Sequence, residues 1–569
     1  MKKDKYPNIN DPLFYKKIKK KYNKFKIPKN KKTMKEICFP KKYTLQLPQR
    51  FVADFINPKT PYKGLLLFHK IGAGKTCAAI NIAEKWKKKR NILIISPASL
   101  MGNFAKELRT KCANDEYITE KERKILDNND PSSLVYKDII RKSNDKIKNF
   151  YTIMSYHKYI AAVKNKKIKL KNTLLIIDEV QNIVSEKGTF YKILLNSIIK
   201  APDDIRIVLL SATPIFDKPV EIGLTMNLLK LPKPLPTGNE FNKKFLKIKF
   251  LKSNEIKYQV KNMKSFKKSI KGYVSYFRGA PPFTFPRREL KYVKCKMSDY
   301  QYKSYKTVHT QEGPFRTGDI LSLPNNFFMG TRILSNIAFP KKEINEGGFE
   351  VLKGKHLKMK NLKTFSIKFY KILKAIKKAE GPVFVYSNFK EYGGLKTLAK
   401  VLENNGFKNY KKHGLGKKRF AIWSSDQKHK VKEEIKASFN KKKNKYGSYL
   451  KVLLGSPSIK EGVSLLRVRE VHVVEPYWNM SRLEQIIGRA IRFCSHKDMY
   501  KKDRVVKVFI YIATHPNNKM MVDKYILKLA EKKQNIINDF EKALKESSVD
   551  CRLNKNANIY KKENKINCM

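Results

Sequence analysis

Gly64-Leu-Leu-Leu-Phe68-His69-Lys70-Ile71-Gly72-Ala73-Gly74-Lys75-Thr76 runs straight into Cys77-Ala-Ala-Ile-Asn-Ile-Ala83. Residues 64–68 are an apolar run of strand length, the glycines mark a turn, and 77–83 carry apolar residues at helical spacing. Strand, glycine loop and helix in this order let backbone N–H groups converge on a phosphate at a helix N-terminus, where the dipole favours an anion. Gly72, Ala73 and Gly74 supply the loop, Lys75 is placed to reach the β- and γ-phosphates, and the Thr76 hydroxyl to meet Mg2+. The usual first glycine, six places before the lysine, is His69 here.

Three more runs of the same kind follow: Asn91-Ile-Leu-Ile-Ile95, Thr173-Leu-Leu-Ile-Ile177 and Arg206-Ile-Val-Leu-Leu210. Such runs read as strands buried on both faces, which belong to parallel sheets covered by helices. Leu231-Pro-Lys-Pro-Leu-Pro236 then breaks the pattern, since neither a helix nor a central strand tolerates it. Beyond it, Pro382-Val-Phe-Val-Tyr386, Lys451-Val-Leu-Leu454, Glu470-Val-His-Val-Val474 and Val505 to Tyr511 suggest a second α/β domain. The expected division is a basic, partly disordered arm over 1–40 and a first α/β domain over 41–232. A helical linker or insertion over 233–295, a second α/β domain over 296–515, and a C-terminal helix and tail over 516–569 complete it.

Asp178-Glu179-Val180-Gln181 closes the strand 173–177, at the end where ligands bind in such sheets. Asp178 suits Mg2+ through its water shell, and Glu179 suits orienting or deprotonating the attacking water. Upstream, Gln49 in Leu45-Gln-Leu-Pro48-Gln49 is expected over the purine ring of ATP, or else to cap a helix. Near the C-terminus, Gln485-Ile-Ile-Gly488-Arg489-Ala-Ile-Arg492 spaces two arginines three apart, hence on one face of a helix. Aimed at a cleft, Arg489 and Arg492 would stabilise charge on the γ-phosphate, with Gln485 beside the nucleotide.

The formal net charge of +75, from 124 basic and 49 acidic residues, makes a polyanion the first partner to expect. Residues 1–40 alone hold fourteen lysines against three acids. No run of about 18 uncharged apolar residues occurs, so no membrane span is expected. The seven cysteines are scattered without CxxC pairs, which predicts reduced thiols in an intracellular compartment. The nine histidines show no metal-ligand spacing.

Together these stretches resemble superfamily two helicases, in the branch shared by chromatin-remodelling ATPases and viral nucleic-acid-dependent ATPases. The resemblance covers about residues 41–515. Ser96-Pro97-Ala-Ser99 to Glu107 is similar to motif Ia, Tyr151 to Tyr156 to the next strand-end motif, and Ser211-Ala212-Thr213-Pro214 to Asp217, with Glu221, to motif III. Ser456 to Leu465, through Glu461-Gly462, resembles motif V, and Gln485 to Arg492 motif VI. Gln181 stands where the family often has His, at the residue that couples to motif III. His472 to Arg482, with Ser495-His496 beyond, is similar to proteins of large DNA viruses, among them the poxvirus nucleoside triphosphate phosphohydrolase and early transcription factor small subunit.

The resemblance implies two tandem RecA-like domains, a helical insertion and basic extensions. It implies ATP and Mg2+ as cofactors and ATP hydrolysis that moves the protein along nucleic acid, DNA favoured and RNA left open. Ser99, Ser387 and Ser464, at the ends of strands in motifs Ia, IV and V, are the candidate contacts to phosphate oxygens, which position a strand without reading sequence. A viral RNA polymerase or a second transcription-factor subunit is the implied protein partner, and virion and host cytoplasm the implied location. The alternative is an early-transcription-factor subunit that binds promoter DNA and uses ATP hydrolysis as a release switch. Trp478 is expected in a core rather than as a base-stacking platform.

Overall fold

The computed structural model describes residues 6–28, 32–250, 256–315, 321, 327–340, 344–460, 463–518, 520–559 and 565–569. Met1 to Lys5 of the N-terminal arm, and Glu461 and Gly462 of motif V, lie outside them. Two compact units emerge: 1–249 with 257–280 and 536–569, and 250–256 with 281–535.

The first unit is built on a parallel sheet of β1 (Gly64–His69), β2 (Asn91–Ser96), β3 (Tyr151–Ser155), β4 (Thr173–Ile177), β5 (Arg206–Ser211) and, after a ribbon of β6 (Leu246–Phe250) with β7 (Ile256–Val260), β8 (Val274–Phe277). The strand order is β3-β2-β4-β5-β1-β8. Every residue of β1 and β4 is buried, as an apolar run covered by helices on both faces requires. The register sets Ser96 beside Ser155 and Ile95 beside Ile177, so the ends of β3, β2 and β4 form one edge.

The second unit has β9 (Arg287–Lys296), β10 (Val383–Tyr386), β11 (Lys408–Asn409), β12 (Arg419–Trp423), β13 (Val452–Gly455), β14 (Glu470–Val473) and β15 (Val505–Thr514), ordered β11-β12-β13-β10-β14-β15-β9. All of its pairings are parallel. Both sheets are parallel, as the strand runs predict, and RecA-like, as the family resemblance implies.

Three boundaries differ from expectation. Among the described residues, the arm expected to be partly disordered is folded over 14–25: a helix spans Phe14–Lys21, and Phe14, Tyr15, Ile18, Tyr22 and Phe25 enter the core of the first unit beside Phe51, Phe55 and Tyr62. Apolar residues three and four apart make one stripe, while Lys16, Lys17, Lys19 and Lys20 take the other face, so the lysine count hid an amphipathic helix. Each buried aromatic contributes roughly 1.5–3 kcal/mol. The 233–295 stretch is only partly helical: the helices Gly238–Phe245 and Met263–Ser269 alternate with β6, β7, β8 and most of β9. A longer run of helices follows β9, from Asp299–Glu312 to Ile367–Lys378. Finally, the helix Val522–Glu546 begins in the second unit and ends in the first, and residues 536–569 complete the first unit rather than hanging as a tail.

The cysteine reading is also corrected. Disulfides join Cys77 to Cys112 and Cys551 to Cys568, pairs 35 and 17 residues apart in sequence that no local spacing could reveal. Among the described residues, no helix is long and apolar enough to cross a membrane.

Candidate active site

The glycine loop leaves β1 and enters the helix Lys75–Trp86 as the sequence predicts. Gly72 and Gly74 sit at φ 83° and 70°, where a side chain would be strained. A Cβ on Gly74 would also lie 2.4 Å from Gln49 Nε2. Here Gln49 takes the helix-capping role, the alternative to the purine contact. Its Oε1 accepts from Gln46 N at 2.9 Å, capping the helix Leu47–Phe55, and its Nε2 donates to the Gly74 carbonyl at 3.2 Å. The buried amide is therefore spent on bracing the loop.

His69 is accommodated because β8 lies beside β1. Its Nε2 is 3.0 Å from the Ser275 hydroxyl, which donates to Asp550 Oδ2 at 2.7 Å. Burial, and secondarily the Lys75 charge, pull His69 down to about 3, so the imidazole is neutral. Burial pushes the Asp550 carboxyl up to about 6. Where glycine usually leaves room, this chain builds a polar strut to its own C-terminal segment.

Lys75 Nζ lies 3.5 Å from Glu179 Oε1, although β5 separates β1 from β4 in the sheet. Asp178 is buried and its Oδ1 accepts the Glu179 amide at 3.0 Å. Asp178 and the Thr76 hydroxyl are hard oxygen donors suited to Mg2+. Glu179 itself has φ 50° and ψ 48°, the left-handed region that a residue with a side chain seldom occupies.

Gln181 makes the link that the departure from His put at issue. Its Nε2 donates to Glu179 Oε2 at 2.5 Å, and its Oε1 accepts from the Ser211 hydroxyl at 2.7 Å. Ser211 Oγ in turn accepts from Thr213 N at 3.0 Å. The motif III loop is further held by Glu221, whose Oε2 accepts from Phe216 N and Asp217 N at 2.6 and 2.9 Å. Burial pushes the Glu221 carboxyl up to about 7, against the pull of those amides. Gln181→Ala is expected to lower steady-state turnover about tenfold with ATP affinity unchanged, the scale of one hydrogen bond to a charged group. An unchanged rate would show that the chain of contacts carries nothing.

In the second unit the arginine pair departs from its expected geometry. The helix Met480–Ile487 ends before both, with Gly488 as its cap, so Arg489 and Arg492 lie in the following turn and not on one helical face. That turn rests on motif V: Leu465 N donates to the Arg489 carbonyl at 2.9 Å, and Arg489 Nη1 to the Val463 carbonyl at 3.4 Å. Gln485 is half-buried in the last turn of the helix. His496 is a fold anchor, buried with Nε2 2.8 Å from the Val468 carbonyl, and burial lowers it to about 4.

The three serines fare differently. Ser99 is exposed just beyond β2, and Ser464 is half-buried with its carbonyl accepting from Asn440 Nδ2 at 2.8 Å. Ser387 is only 1% exposed, and its hydroxyl is 3.0 Å from both Glu475 oxygens. A hydroxyl committed to a buried carboxylate does not face a phosphate backbone, so Ser387 is structural in this conformation. Trp478 is buried, stacked on Tyr477 at 3.8 Å with the Arg332 guanidinium 5.0 Å over its ring.

Sequence reasoning missed Ser211 as the partner of Gln181, and Tyr156, whose hydroxyl donates to the carbonyls of Asp178 and Glu179. Tyr156 follows a strand end within a quoted motif, but no spacing tells where a phenol will reach.

A phosphate loop whose lysine already meets a strand-end glutamate, followed by a second parallel sheet, is the equipment of an ATP-dependent helicase or nucleoside triphosphatase. Sequence comparison gives the family. The SNF2-related domain matches residues 20–349 and the helicase conserved C-terminal domain matches residues 367–494, so the chain belongs to the SNF2-related helicases. It is 54% identical over 566 residues to "Putative ATP-dependent RNA helicase R563" of Acanthamoeba polyphaga mimivirus, covering 99% of each chain. It is 28% identical over 573 residues to "Putative helicase 087L" of Invertebrate iridescent virus 3, covering 90% of this chain and 54% of that one. "Termination factor NPH-I homolog" of African swine fever virus is 25% identical over 572 residues, with 86% and 77% covered. These three relatives come from large DNA viruses.

Proposed function

We propose that the protein hydrolyses ATP to ADP and phosphate in a nucleic-acid-stimulated cycle that moves it along, or remodels, DNA. The observation that carries this reading is the continuous contact path from Lys75 through Glu179 and Gln181 to Ser211 and Thr213. Without nucleotide, Lys75 and Glu179 neutralise each other. An incoming γ-phosphate takes the lysine, and the freed carboxylate turns to the attacking water. Any change at Glu179 is felt in the motif III loop through Gln181. Thr76 and Asp178 would hold the Mg2+ that accompanies ATP and offsets phosphate charge, and Gly72, Ala73 and Gly74 would offer the phosphate amides.

The net charge of +75 supports a polyanion, and the likeness to remodelling ATPases favours DNA over RNA. The mimivirus relative carries RNA helicase in its name, so RNA is the competing polymer. ATPase rates with no polymer, single-stranded DNA, duplex DNA and RNA at one stated salt concentration decide between them. DNA stimulation is expected; stimulation by RNA alone would overturn the DNA reading. The name of the African swine fever relative supports a role in viral transcription, with RNA polymerase as the partner to seek.

Glu179→Gln is expected to keep ATP and nucleic acid bound while stopping chemistry, because the amide takes no proton and Asp178 still meets the metal. Loss of ATP binding in an equilibrium titration of the folded variant would count against this division of roles.

A further inference from the structure

Tyr156 stands outside every role assigned so far, yet it touches the catalytic strand end. It opens the helix Tyr156–Lys164, is 6% exposed, and its hydroxyl donates to the carbonyls of both Asp178 and Glu179, the latter at 3.0 Å. β2 lies between β3 and β4, so this side chain spans a whole strand end to reach them. We propose that Tyr156 is a positioning residue for ATP hydrolysis, holding Glu179 in the left-handed backbone conformation from which its carboxylate meets Lys75 and Gln181. The inference rests on the reading of Glu179 as the group that handles the attacking water.

Three observations support it. Glu179 has φ 50°, a conformation that L-residues keep only when surrounding contacts over-determine it. The contacts on its backbone include the Tyr156 hydroxyl and Asn182 N, which donates to the Glu179 carbonyl at 2.9 Å, and Asp178 Oδ1, which accepts the Glu179 amide at 3.0 Å. If the backbone relaxed to negative φ, the side chain would leave along a different direction and lose its 3.5 Å approach to Lys75. Second, the anchor is rigid. Ser155 Oγ caps the helix by accepting from Lys158 N at 3.2 Å, and the Tyr159 hydroxyl is 2.8 Å from Ser197 Oγ on the helix Thr189–Ile199. The His157 ring meets Phe190 of that same helix edge-on at 4.8 Å. Third, the chemistry is specific: a phenol is long, has few rotatable bonds and ends in a neutral donor. Phenylalanine fills the same space without the donor, and a lysine would bring a cation beside two carboxylates whose charges have other work.

The placement also joins two functions of the sheet. Tyr156 begins where β3 ends, on the edge that also carries Ser99, the candidate phosphate contact.

The test uses the full-length chain. Tyr156→Phe is expected to lower nucleic-acid-stimulated kcat about tenfold, leaving the KM for ATP within about twofold, as loss of a hydrogen bond that aligns a catalytic group does. Tyr159→Phe is the control: its hydroxyl meets Ser197 rather than the catalytic strand end, so losing this one of several helix anchors should leave kcat within about twofold of wild type. On the residual single-turnover rate measured for Glu179→Gln, adding Tyr156→Phe should cost less than about twofold more, because the hydroxyl acts only through that carboxylate. Wild-type kcat in Tyr156→Phe, a loss confined to KM, an equal loss in Tyr159→Phe, or a full tenfold loss in the Glu179→Gln background would each overturn the proposal. A wild-type protein that hydrolyses no ATP would instead overturn the functional reading beneath it.

Discussion

Lys75→Ala is expected to abolish ATP turnover. The lysine is the cation at the first turn of the loop helix, 3.5 Å from Glu179, and its neighbour His69 is neutral and cannot stand in for it. Without Lys75, the γ-phosphate loses its charge partner and Glu179 is left facing an anion. Loss of a charge contact of this kind raises the barrier by several kcal/mol, or about 10³-fold and more. The measurement is steady-state hydrolysis at saturating ATP with polymer present. A rate within about tenfold of wild type would remove the phosphate loop from the site.

The second large effect concerns Arg489 and Arg492. Either change to Ala should leave ATP bound by Lys75, Thr76 and the glycine loop while lowering turnover by about 10³-fold, the scale of arginine fingers. The turn that carries them is tied to motif V by a backbone bond, Leu465 N to the Arg489 carbonyl, which truncation of either side chain leaves in place, while Arg489→Ala gives up the Nη1 contact to the Val463 carbonyl. Measuring ATP affinity and single-turnover rate separately makes the split visible. An intact rate in both variants would mean that this chain completes its transition state without motif VI. Loss of affinity with an intact rate would make the pair a binding device instead.

The legible parts of this molecule were those where one local rule sufficed. β1, β2, β4 and β5 are short apolar runs buried on both faces, and the glycine loop needs only residues 72–76, with φ values that glycine alone meets easily. What stayed hidden depends on partners distant in sequence. Lys247 and Lys249 in β6, and the lysines of β9, made alternating strands look like polar linker, because an edge strand can turn charged residues to water. The stripe from Phe14 to Phe25 was masked by lysines on the opposite face of its helix. Gln49 and Ser387 carry polar groups suited to a ligand, and only the fold shows that Gly74 and Glu475 claim them first. The arginines were placed on a helix because three-residue spacing fits one, but Gly488 ends it. Tyr156 had no signal beyond its place after a strand.

The way residues 536–569 close the first unit has a consequence for birth on the ribosome. β8 needs Asp550 for its Ser275 hydroxyl and Tyr276 amide, Asn558 for the Arg278 amide, and Val549, whose N–H donates to the Val274 carbonyl. These partners are translated some 270 residues after β8, roughly 15–60 s later at 5–20 residues per second. During that interval the edge of the first sheet waits incomplete while the whole second unit is made. A nascent chain released early, or a gene truncated after the helicase motifs, would keep Lys75, Glu179 and Arg492 in its sequence and still lack Val549, Asp550 and Asn558, the partners that complete the β8 edge. Limited proteolysis of stalled chains, with and without the final 34 residues, would register the moment at which the ATP-binding half becomes a finished object.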